Sequence, residues 1–490
     1  MGALPQELVI RILTAASTPV VEQLRLLPST LHTAVIHATS PSIIADGSVC
    51  IDAADPEYAL FAEALWPVMS RVTSFRVSRR KVSQEISHLA TGCSRRGRCF
   101  ATMLLYRTRA LSPESASALG SQLVKLSCIE QLDLSSNHIG PGGVKSLGPH
   151  LAHLPSIKLL DLSCNNIDDG GAKSLGPHLA RLTAIQQLNL SFNRVTIGGM
   201  QSLGRNLTHL SSIQKLDLAD NRFHERGMEA LGPHLGHMTS IQYLELGGNR
   251  IGDRGAKCLG PQLRHLTAIK ELGLGRNRFC CGGAASLGPH LAHLTSITKL
   301  DLNSNRIGDD GAKSLGPHLA LLTSIQHLDL LANNIHAAGV TALGPHLAHL
   351  VCIQKLDMVG NQFGDEGARS LGPHLAQLTS IQELCLRNTR IGDKGVMSLG
   401  PHLAHLTSMQ RLELSINIIR GDGAASLGPH LAHLKHIQQL DLRDNFIGAP
   451  SSDAVKSLKL QLAHLTHMEL LVSTSAKTSS ERRSTIVCQS

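Results

Sequence analysis

The sequence predicts an α/β fold, a curved solenoid of horseshoe shape with parallel strands on its concave face and short or kinked helices on its convex face. A 28-residue unit recurs twelve times from residue 129 onward. Each unit contains a short alternating pattern typical of a strand, followed by an apolar stripe at helical spacing. No single unit can bury these apolar residues alone, so stacking of neighbouring units must supply the core.

The strand is clearest in the first unit. Leu132 and Leu134 alternate with polar residues, which predicts one buried and one exposed strand face. Asn137 ends the strand, and its amide can satisfy backbone groups at the corner as donor and acceptor. Asparagine recurs at this place in every unit except the tenth, which has Thr389: Asn165, Asn193, Asn221, Asn249, Asn277, Asn305, Asn333, Asn361, Asn417 and Asn445.

The helical stripe follows the corner. Val144, Leu147, Leu151 and Leu154 lie three or four residues apart, on one helix face. About eight apolar side chains per unit are then buried, each contributing roughly 1.5 to 3 kcal/mol. Pro149 cannot donate a backbone hydrogen bond, so we expect each helix to kink or to begin again at this proline. Neighbouring strands stack about 4.8 Å apart, whereas packed helices need roughly 8 to 10 Å. Because the helical side is wider than the strand side, the array must curve with the strands on its inner face.

The strand and corner residues, Leu132-x-Leu134-x-x-Asn137-x-Ile139, together with the segment IGDDGAKSL at 307–315, resemble the ribonuclease-inhibitor class of leucine-rich repeat. Such repeats occur in NOD-like receptors and Ran GTPase-activating proteins. The resemblance extends over residues 104–472 and implies a concave parallel sheet that recognises proteins. By the same analogy, a Ran-type GTPase activator is an alternative function.

The domain organisation follows from the limits of this array. We predict a helical segment at 1–45, a degenerate capping or linker region with a basic cluster at 46–103, the array at 104–472 and a disordered polar tail at 473–490. The basic cluster contains Arg71, Arg76, Arg79, Arg80, Lys81, Arg95, Arg96 and Arg98.

The N-terminal segment carries small amphipathic helices. Residues 4–37 resemble an F-box, which implies docking onto a cullin-type ubiquitin ligase and an alternative function as its substrate receptor. The adaptor-docking candidates are Leu4, Pro5, Leu8, Ile12, Leu13 and Leu24. The other interpretation of this segment is a helical cap that shields the first strand of the array.

Charge and composition exclude several classes of function. The net charge is +9, but residues 129–472 carry 30 basic and 27 acidic side chains, so the array is close to neutral. Aromatic residues make up only 2% of the chain, too few for base stacking, and we expect no nucleic-acid partner. No apolar run is long enough to span a membrane. With an odd number of cysteines, 11, and no export signal, we expect a cytoplasmic protein without disulfides.

No residue pattern indicates catalysis, and we expect no enzyme activity and no cofactor. The recurring GPHLAHL segment places pairs such as His150 and His153 on one helix face, where a solvated surface is favoured over a metal site because no further ligand lies in register. Residues 308–314 lack the adjacent Gly-Lys of a phosphate-binding loop. Their glycines suit a strand-to-helix turn.

The strand face is the predicted binding surface for a protein partner. The position between the two strand leucines is acidic in nine of the twelve units, and we call this column the acidic stripe: Asp133, Asp161, Asn189, Asp217, Glu245, Gly273, Asp301, Asp329, Asp357, Cys385, Glu413 and Asp441. A partner with a basic segment would complement it. Arginine after the corner asparagine, as in Arg250 and Arg306, forms a second line that could neutralise the stripe. Departures from the repeat add candidate anchors, namely Phe192, Tyr243, Arg276, Leu331, Val359 and Ile416.

Overall fold

The structure is a computed structural model that describes residues 48–52, 74–78, 102–106, 111–126, 129–449, 451–472 and 485–487. The chain divides into two compact units, Met1–Phe223 and His224–Ser490, and each is treated by itself. Both contain the predicted alternation of short parallel strands and helices.

Unit 1 contains a parallel sheet with its strands in chain order. The strands are β1 Ser48–Asp52, β2 Ser74–Ser78, β3 Thr102–Tyr106, β4 Gln131–Asp133, β5 Leu159–Asp161, β6 Gln187–Asn189 and β7 Lys215–Asp217. The helices that connect β3 through β7 are α1 Pro113–Leu123, α2 Gly140–Leu151, α3 Asp169–Leu179 and α4 Ile197–Leu207.

Unit 2 repeats the same pattern. Its parallel strands are β8 Tyr243–Glu245, β9 Glu271–Gly273, β10 Lys299–Asp301, β11 His327–Asp329, β12 Lys355–Asp357, β13 Glu383–Cys385, β14 Arg411–Glu413, β15 Gln439–Asp441 and β16 Glu469–Leu471. Its helices are α5 His224–Leu235, α6 Gly252–Leu263, α7 Cys281–Leu291, α8 Gly308–Leu319, α9 Ala337–Leu347, α10 Gly364–Leu375, α11 Asp393–Leu403, α12 Gly421–Leu431 and α13 Asp453–Leu462. Strand register shifts by the repeat length, so Leu300 lies beside Leu328.

The predicted core is confirmed. In the first repeat Ile129, Leu132, Leu134, Ile139, Val144, Leu147, Leu151 and Leu154 are all at most 3% exposed. Equivalent residues are buried in each later repeat. Because every helix packs mainly on its sequence neighbours, burial is shared between adjacent repeats.

The corner asparagines link successive repeats, as the sequence predicts. The side-chain Oδ1 of Asn165 accepts a hydrogen bond from the backbone N–H of Asn137 at 3.0 Å. Its Nδ2 donates to the carbonyl oxygen of Leu134 at 2.8 Å. These asparagine bonds satisfy backbone groups of the preceding repeat that would otherwise be buried without a partner, although Oδ1 of Asn333 accepts no hydrogen bond among the described residues.

Carboxylates at the helix N-termini add a second link. Oδ1 of Asp309, in the first turn of α8, accepts from the backbone N–H of His336, which precedes α9. Asp253 does the same for Cys280, and Asp365 for Gly392. An acidic residue at the start of one helix thus caps the next helix, where the unpaired N–H groups favour negative charge.

Of the two outcomes expected at the proline, a kink or a restart, the helix does not restart. Pro149 lies inside the continuous helix α2, two residues before its last residue, so it removes a hydrogen bond only from the last turn. The glycine before it has a packing role. A Cβ on Gly148 would lie 2.7 Å from Cδ2 of His178 in the next repeat, so only glycine leaves room for the imidazole.

The ends of the array carry strands that sequence analysis did not identify. β1 and β2 fall within the region predicted as cap or linker; β1 pairs in parallel with β2, and β2 pairs in parallel with β3. In the tail, β17, Thr485–Val487, pairs antiparallel with β16. The remaining tail residues lie outside the described residues, and their predicted disorder stays a prediction. Among the helices described, none is long and apolar enough to cross a membrane.

Candidate functional site

The site is built from two neighbouring columns of side chains on the strand face of unit 2. The first column consists of the residue before each first strand leucine: Lys299, His327, Lys355 and Glu383 in β10 to β13. The second column is the acidic stripe, here Asp301, Asp329, Asp357 and the buried Cys385. Parallel pairing sets Asp301 beside Asp329 and Asp329 beside Asp357.

Asp301, Asp329 and Asp357 are half-buried, whereas strand alternation in the sequence predicts side chains on the exposed face. Oδ1 of Asp329 accepts from the backbone N–H of Leu331 at 2.9 Å, two residues along the chain. Asp301 and Asp357 make the same bond to Asn303 and Val359. Each stripe aspartate therefore also stabilises the turn that follows its strand.

Burial and mutual repulsion disfavour ionisation of these carboxyls. The pKa of Asp329 is raised to about 6, chiefly by burial and also by the charges of Asp301 and Asp357 on either side. Burial also raises the pKa of Asp357 and, in unit 1, that of Asp217. In the described part of unit 2, Asp301, Asp329 and Asp357 form no ion pair with a lysine or arginine side chain. The charge of Lys355 lowers the pKa of Asp357 but does not offset the effect of burial.

A groove of about 400 Å³ lies over these strands. Its lining contains all three aspartates and the first-column residues Lys299, His327, Lys355 and Glu383, together with Leu300, Leu328, Gln354 and Gln382. The sequence predicted the aspartates but missed the first column. The sequence contained the information needed to find the first column, because the residue before the first strand leucine occupies the same position in every repeat.

The basic residues of the first column pair within their own column. Lys355 Nζ lies 2.8 Å from Glu383 Oε2, and Lys299 Nζ lies 3.9 Å from Glu271 Oε2. This pairing raises the pKa of Lys355 and lowers that of Glu383. The lysines at the groove wall are thus partly neutralised by glutamates, whereas the carboxylates at its centre form no ion pair among the described residues.

The corner arginines do not neutralise the stripe in the described residues, contrary to the alternative left open by the sequence. Two stripe residues form ion pairs, Glu413 with Arg411 at 3.7 Å and the buried Asp441 with Arg443 at 2.5 Å. Both arginines come from the strand face. The reason is geometric: a corner arginine follows the asparagine, where the chain has already turned toward the helix.

The other predicted anchors are spread along the strand side. Phe192 in unit 1 is 57% exposed, whereas Tyr243 in β8 and Leu331 are half-buried. Glu245 accepts from the backbone N–H of Gly247 and occupies the space above Gly273, where a Cβ would collide with its carboxylate. Arg276 is exposed. The groove does not include these residues.

The adaptor-docking candidates Leu4, Pro5, Leu8, Ile12, Leu13 and Leu24 lie outside the described residues, so the F-box-like interpretation stays a prediction, as does the Ran-type GTPase activator. Over the described ranges, no group of three or more His, Cys, Asp or Glu residues could hold a metal ion. The cysteines described with side chains are free thiols: Cys164, Cys258, Cys280, Cys281, Cys352 and Cys385.

Comparison with known proteins identifies the repeat. A family model for leucine-rich repeats matches residues 125–148, 153–176, 209–232, 237–260, 293–316, 349–372 and 377–400. The model describes leucine-rich repeats in general, so the ribonuclease-inhibitor class stays a prediction. No curated protein matches the sequence.

Solved structures give similar but distant matches. A TDR receptor matches with 14% identity and a TM-score of 0.43, over 85% of this chain and 66% of the receptor chain. An internalin from Listeria monocytogenes matches with 20% identity and a TM-score of 0.40, over 69% of this chain and 94% of its own. A TLR13–ssRNA13 complex matches with 15% identity and a TM-score of 0.46, over 82% of this chain and 54% of the TLR13 chain.

Proposed function

We propose that this chain, which is a leucine-rich-repeat protein, is a non-enzymatic scaffold that binds a partner protein on the strand face of unit 2. Leucine-rich repeats bind protein partners, and the seven matched repeats give the coarse assignment of a protein-interaction scaffold. The finer proposal is that a basic segment of the partner occupies the groove over β10 to β13. We further propose that the protein acts in the cytoplasm, where its thiols would stay reduced.

One observation carries the proposal: Asp301, Asp329 and Asp357 line a single groove from three neighbouring strands and form no ion pair with a described lysine or arginine side chain. The pKa of Asp329 is raised chiefly by burial and also by repulsion from the like charges stacked on either side at strand spacing. A lysine or arginine side chain entering the groove would offset this repulsion by direct attraction. Electrostatic complementarity of this kind accelerates association and selects partners.

The proposal is tested with a fluorescent hexa-arginine peptide titrated against the full chain at low ionic strength. The main variant is Asp301→Asn, Asp329→Asn and Asp357→Asn, because asparagine keeps the Oδ1 acceptor for the turn N–H groups. A second variant, Asp301→Lys, Asp329→Lys and Asp357→Lys, reverses the charge but also removes the three turn hydrogen bonds. We expect the asparagine variant to weaken binding at least tenfold and the lysine variant to abolish it.

The matched control is Asp133→Asn with Asp161→Asn, at the same repeat position in unit 1 and outside the groove. It should bind the peptide nearly as well as the wild type. Circular dichroism must show the same helix content in all variants. Equal binding by the triple asparagine variant would refute the groove as the binding site, and Phe192, Tyr243 and Leu331 would become the next candidates.

A further inference from the structure

A second charged surface in unit 2 has no role in the groove. Arg250, Arg276, Arg278 and Arg306 lie at the strand-to-helix corners of three successive repeats, and we call them the basic corner. All four side chains are exposed. Arg276 and Arg278 flank the buried Asn277, so two arginines extend from a single corner.

The backbone at this corner is costly for arginine. Arg250, Arg276 and Arg278 have φ values of +56°, +56° and +61°, in the left-handed region. Long side chains adopt this region only at an energetic cost. Other repeats place smaller residues at the same positions with the same sign of φ, such as Ser304 in place of Arg276 and Asn334 in place of Arg278. Fold alone therefore does not require arginine here.

The four guanidinium groups form no ion pair with the side chains described in unit 2. Carboxylates near this corner are already engaged by backbone donors. Asp253 accepts from the N–H of Cys280, Asp309 from the N–H of His336, and Glu245 from the N–H of Gly247. The basic corner thus concentrates positive charge that the surrounding chain leaves uncompensated.

We infer that the basic corner binds a short acidic segment of a protein partner. Successive repeats are about 4.8 Å apart, so Arg250, Arg278 and Arg306 span roughly 10 Å. Three to four residues of extended chain cover this distance at about 3.3 Å per residue. Two or three carboxylates in such a segment could each engage a guanidinium, and planar guanidinium groups bind carboxylates in bidentate pairs.

The surroundings favour a peptide over a nucleic acid. The stripe carboxylates Glu245 and Asp301 lie five residues before Arg250 and Arg306, in the strands that lead to these corners. A long polyphosphate backbone would be repelled by these carboxylates, whereas a short acidic segment need not cross the stripe. Phe279, the aromatic residue next to Arg278, is only 1% exposed and offers no surface for base stacking.

The test uses the full chain with two fluorescent probes, a capped hexa-glutamate peptide and a ten-nucleotide oligothymidylate. The variant is Arg250→Asn, Arg276→Ser and Arg278→Asn, whose new residues stand at equivalent left-handed positions in other repeats. The matched control is Arg194→Gln with Arg222→Gln in unit 1, since Gln362 occupies that position in another repeat. Both arginines are exposed, and neither has a positive φ.

We expect the peptide to bind the wild type and the control, with affinity that falls as salt is raised. The triple variant should bind at least tenfold more weakly at low salt. Hexa-arginine binding by the triple variant should be unchanged, which separates this inference from the proposed groove. No peptide binding by the wild type, or equal binding by the triple variant, would overturn the inference. Oligothymidylate that binds as tightly as the peptide, with the same sensitivity to the three substitutions, would replace it with a nucleic-acid surface.

Discussion

The imidazole of His374 lies so close to Gly344 of the preceding helix that a Cβ on the glycine would stand 2.6 Å from the imidazole Cδ2. The same relationship recurs along both units, in the pairs Gly120 with His150, Gly148 with His178, Gly260 with His290, Gly288 with His318, Gly316 with His346, Gly372 with His402 and Gly400 with His430. The LGPHL motif is therefore a packing device in which the histidine of one repeat needs the glycine of the previous one.

Substitution of this glycine should destabilise the protein. We expect Gly344→Ala to lower the free energy of unfolding by about 1–3 kcal/mol, because the Cβ must displace the His374 ring from a packed interface. The measurement is the urea midpoint followed by circular dichroism. Gly232→Ala is the matched control, since the nearest atom to its Cβ would lie at an ordinary 3.4 Å.

The pairing can be tested further with a rescue variant. Removing the ring in Gly344→Ala with His374→Ala should recover part of the loss, since the two substitutions contact each other and are not additive. A destabilisation by Gly232→Ala as large as that by Gly344→Ala would contradict the packing explanation.

Acidification should weaken this interface. Burial lowers the pKa of His374, and it is also the largest cause of the lowered pKa of His178, His290 and His402. A histidine with a lowered folded pKa binds more protons when unfolded, so its stabilisation is present above the unfolded pKa of about 6.5 and decreases as the pH falls below it.

The half-buried carboxyls change stability in the opposite direction, so the comparison must be between variants. We expect His374→Gln with His402→Gln to show a smaller loss of thermal stability than the wild type between pH 7.5 and 5.5. Glutamine already stands at this position in another repeat, as Gln262. Parallel curves of melting temperature against pH for the two proteins would show that these histidines do not contribute.

Neutralising the centre of the acidic stripe should stabilise the protein at neutral pH. The pKa of Asp329 is raised to about 6 from 3.8, so the folded state binds more protons and ionisation above pH 6 costs stability. We expect Asp329→Asn to raise the melting temperature at pH 7.5 by about 1–3 °C. The gain should shrink as the pH falls from 6 toward 4, where the aspartate itself is protonated.

The control for this prediction is Asp133→Asn, which keeps the same turn hydrogen bond and has an acidic neighbour, Asp161, on one side. Its effect on the melting temperature should be smaller. If Asp329→Asn lowers the melting temperature at pH 7.5, the cost of ionising the half-buried Asp329 is not the dominant effect at this position. If Asp329→Asn stabilises the protein and the triple asparagine variant binds hexa-arginine less well, the stripe carboxylates contribute to binding at the expense of stability.

The single break in the asparagine column should be repairable. Thr389 donates its hydroxyl to the carbonyl oxygen of Leu386 and lies 3.1 Å from Asn417 Oδ1. The backbone N–H groups of Asn361 and Phe363 in the preceding repeat use local carbonyls instead of a side chain in the next repeat. Thr389→Asn would supply an acceptor for them, and we expect a gain of about 0.5–1.5 kcal/mol in the free energy of unfolding.

The converse substitution, Asn305→Thr, is the control for this effect. It would remove the acceptor used by the N–H groups of Asn277 and Phe279 and the donor to Leu274. Because these groups are buried, we expect a loss greater than the gain at residue 389. Denaturation midpoints that move in the same direction for both variants would refute the proposed ladder.

The local sequence was sufficient for the repeat, its core and its corners. Leu132, Leu134 and Val144 are buried because period-2 and helical patterns fix which face of each element is apolar. Asn137 and its equivalents follow from the same reasoning, since a corner must satisfy its backbone groups with some side chain. The stripe aspartates were also predictable, because strand alternation places them on the exposed face.

Properties that depend on contacts between repeats were decided only by the tertiary structure. Proline alone indicates a broken helix, but Pro149 is tolerated near a helix end, and Gly148 is explained by His178, thirty residues away. The turn hydrogen bond and raised pKa of Asp329 depend on burial and on two neighbouring strands. Whether the corner arginines neutralise the stripe likewise depends on side-chain positions across repeats. A sequence pattern specifies the direction of each side chain within its own element, whereas these properties arise from contacts between elements far apart in the chain.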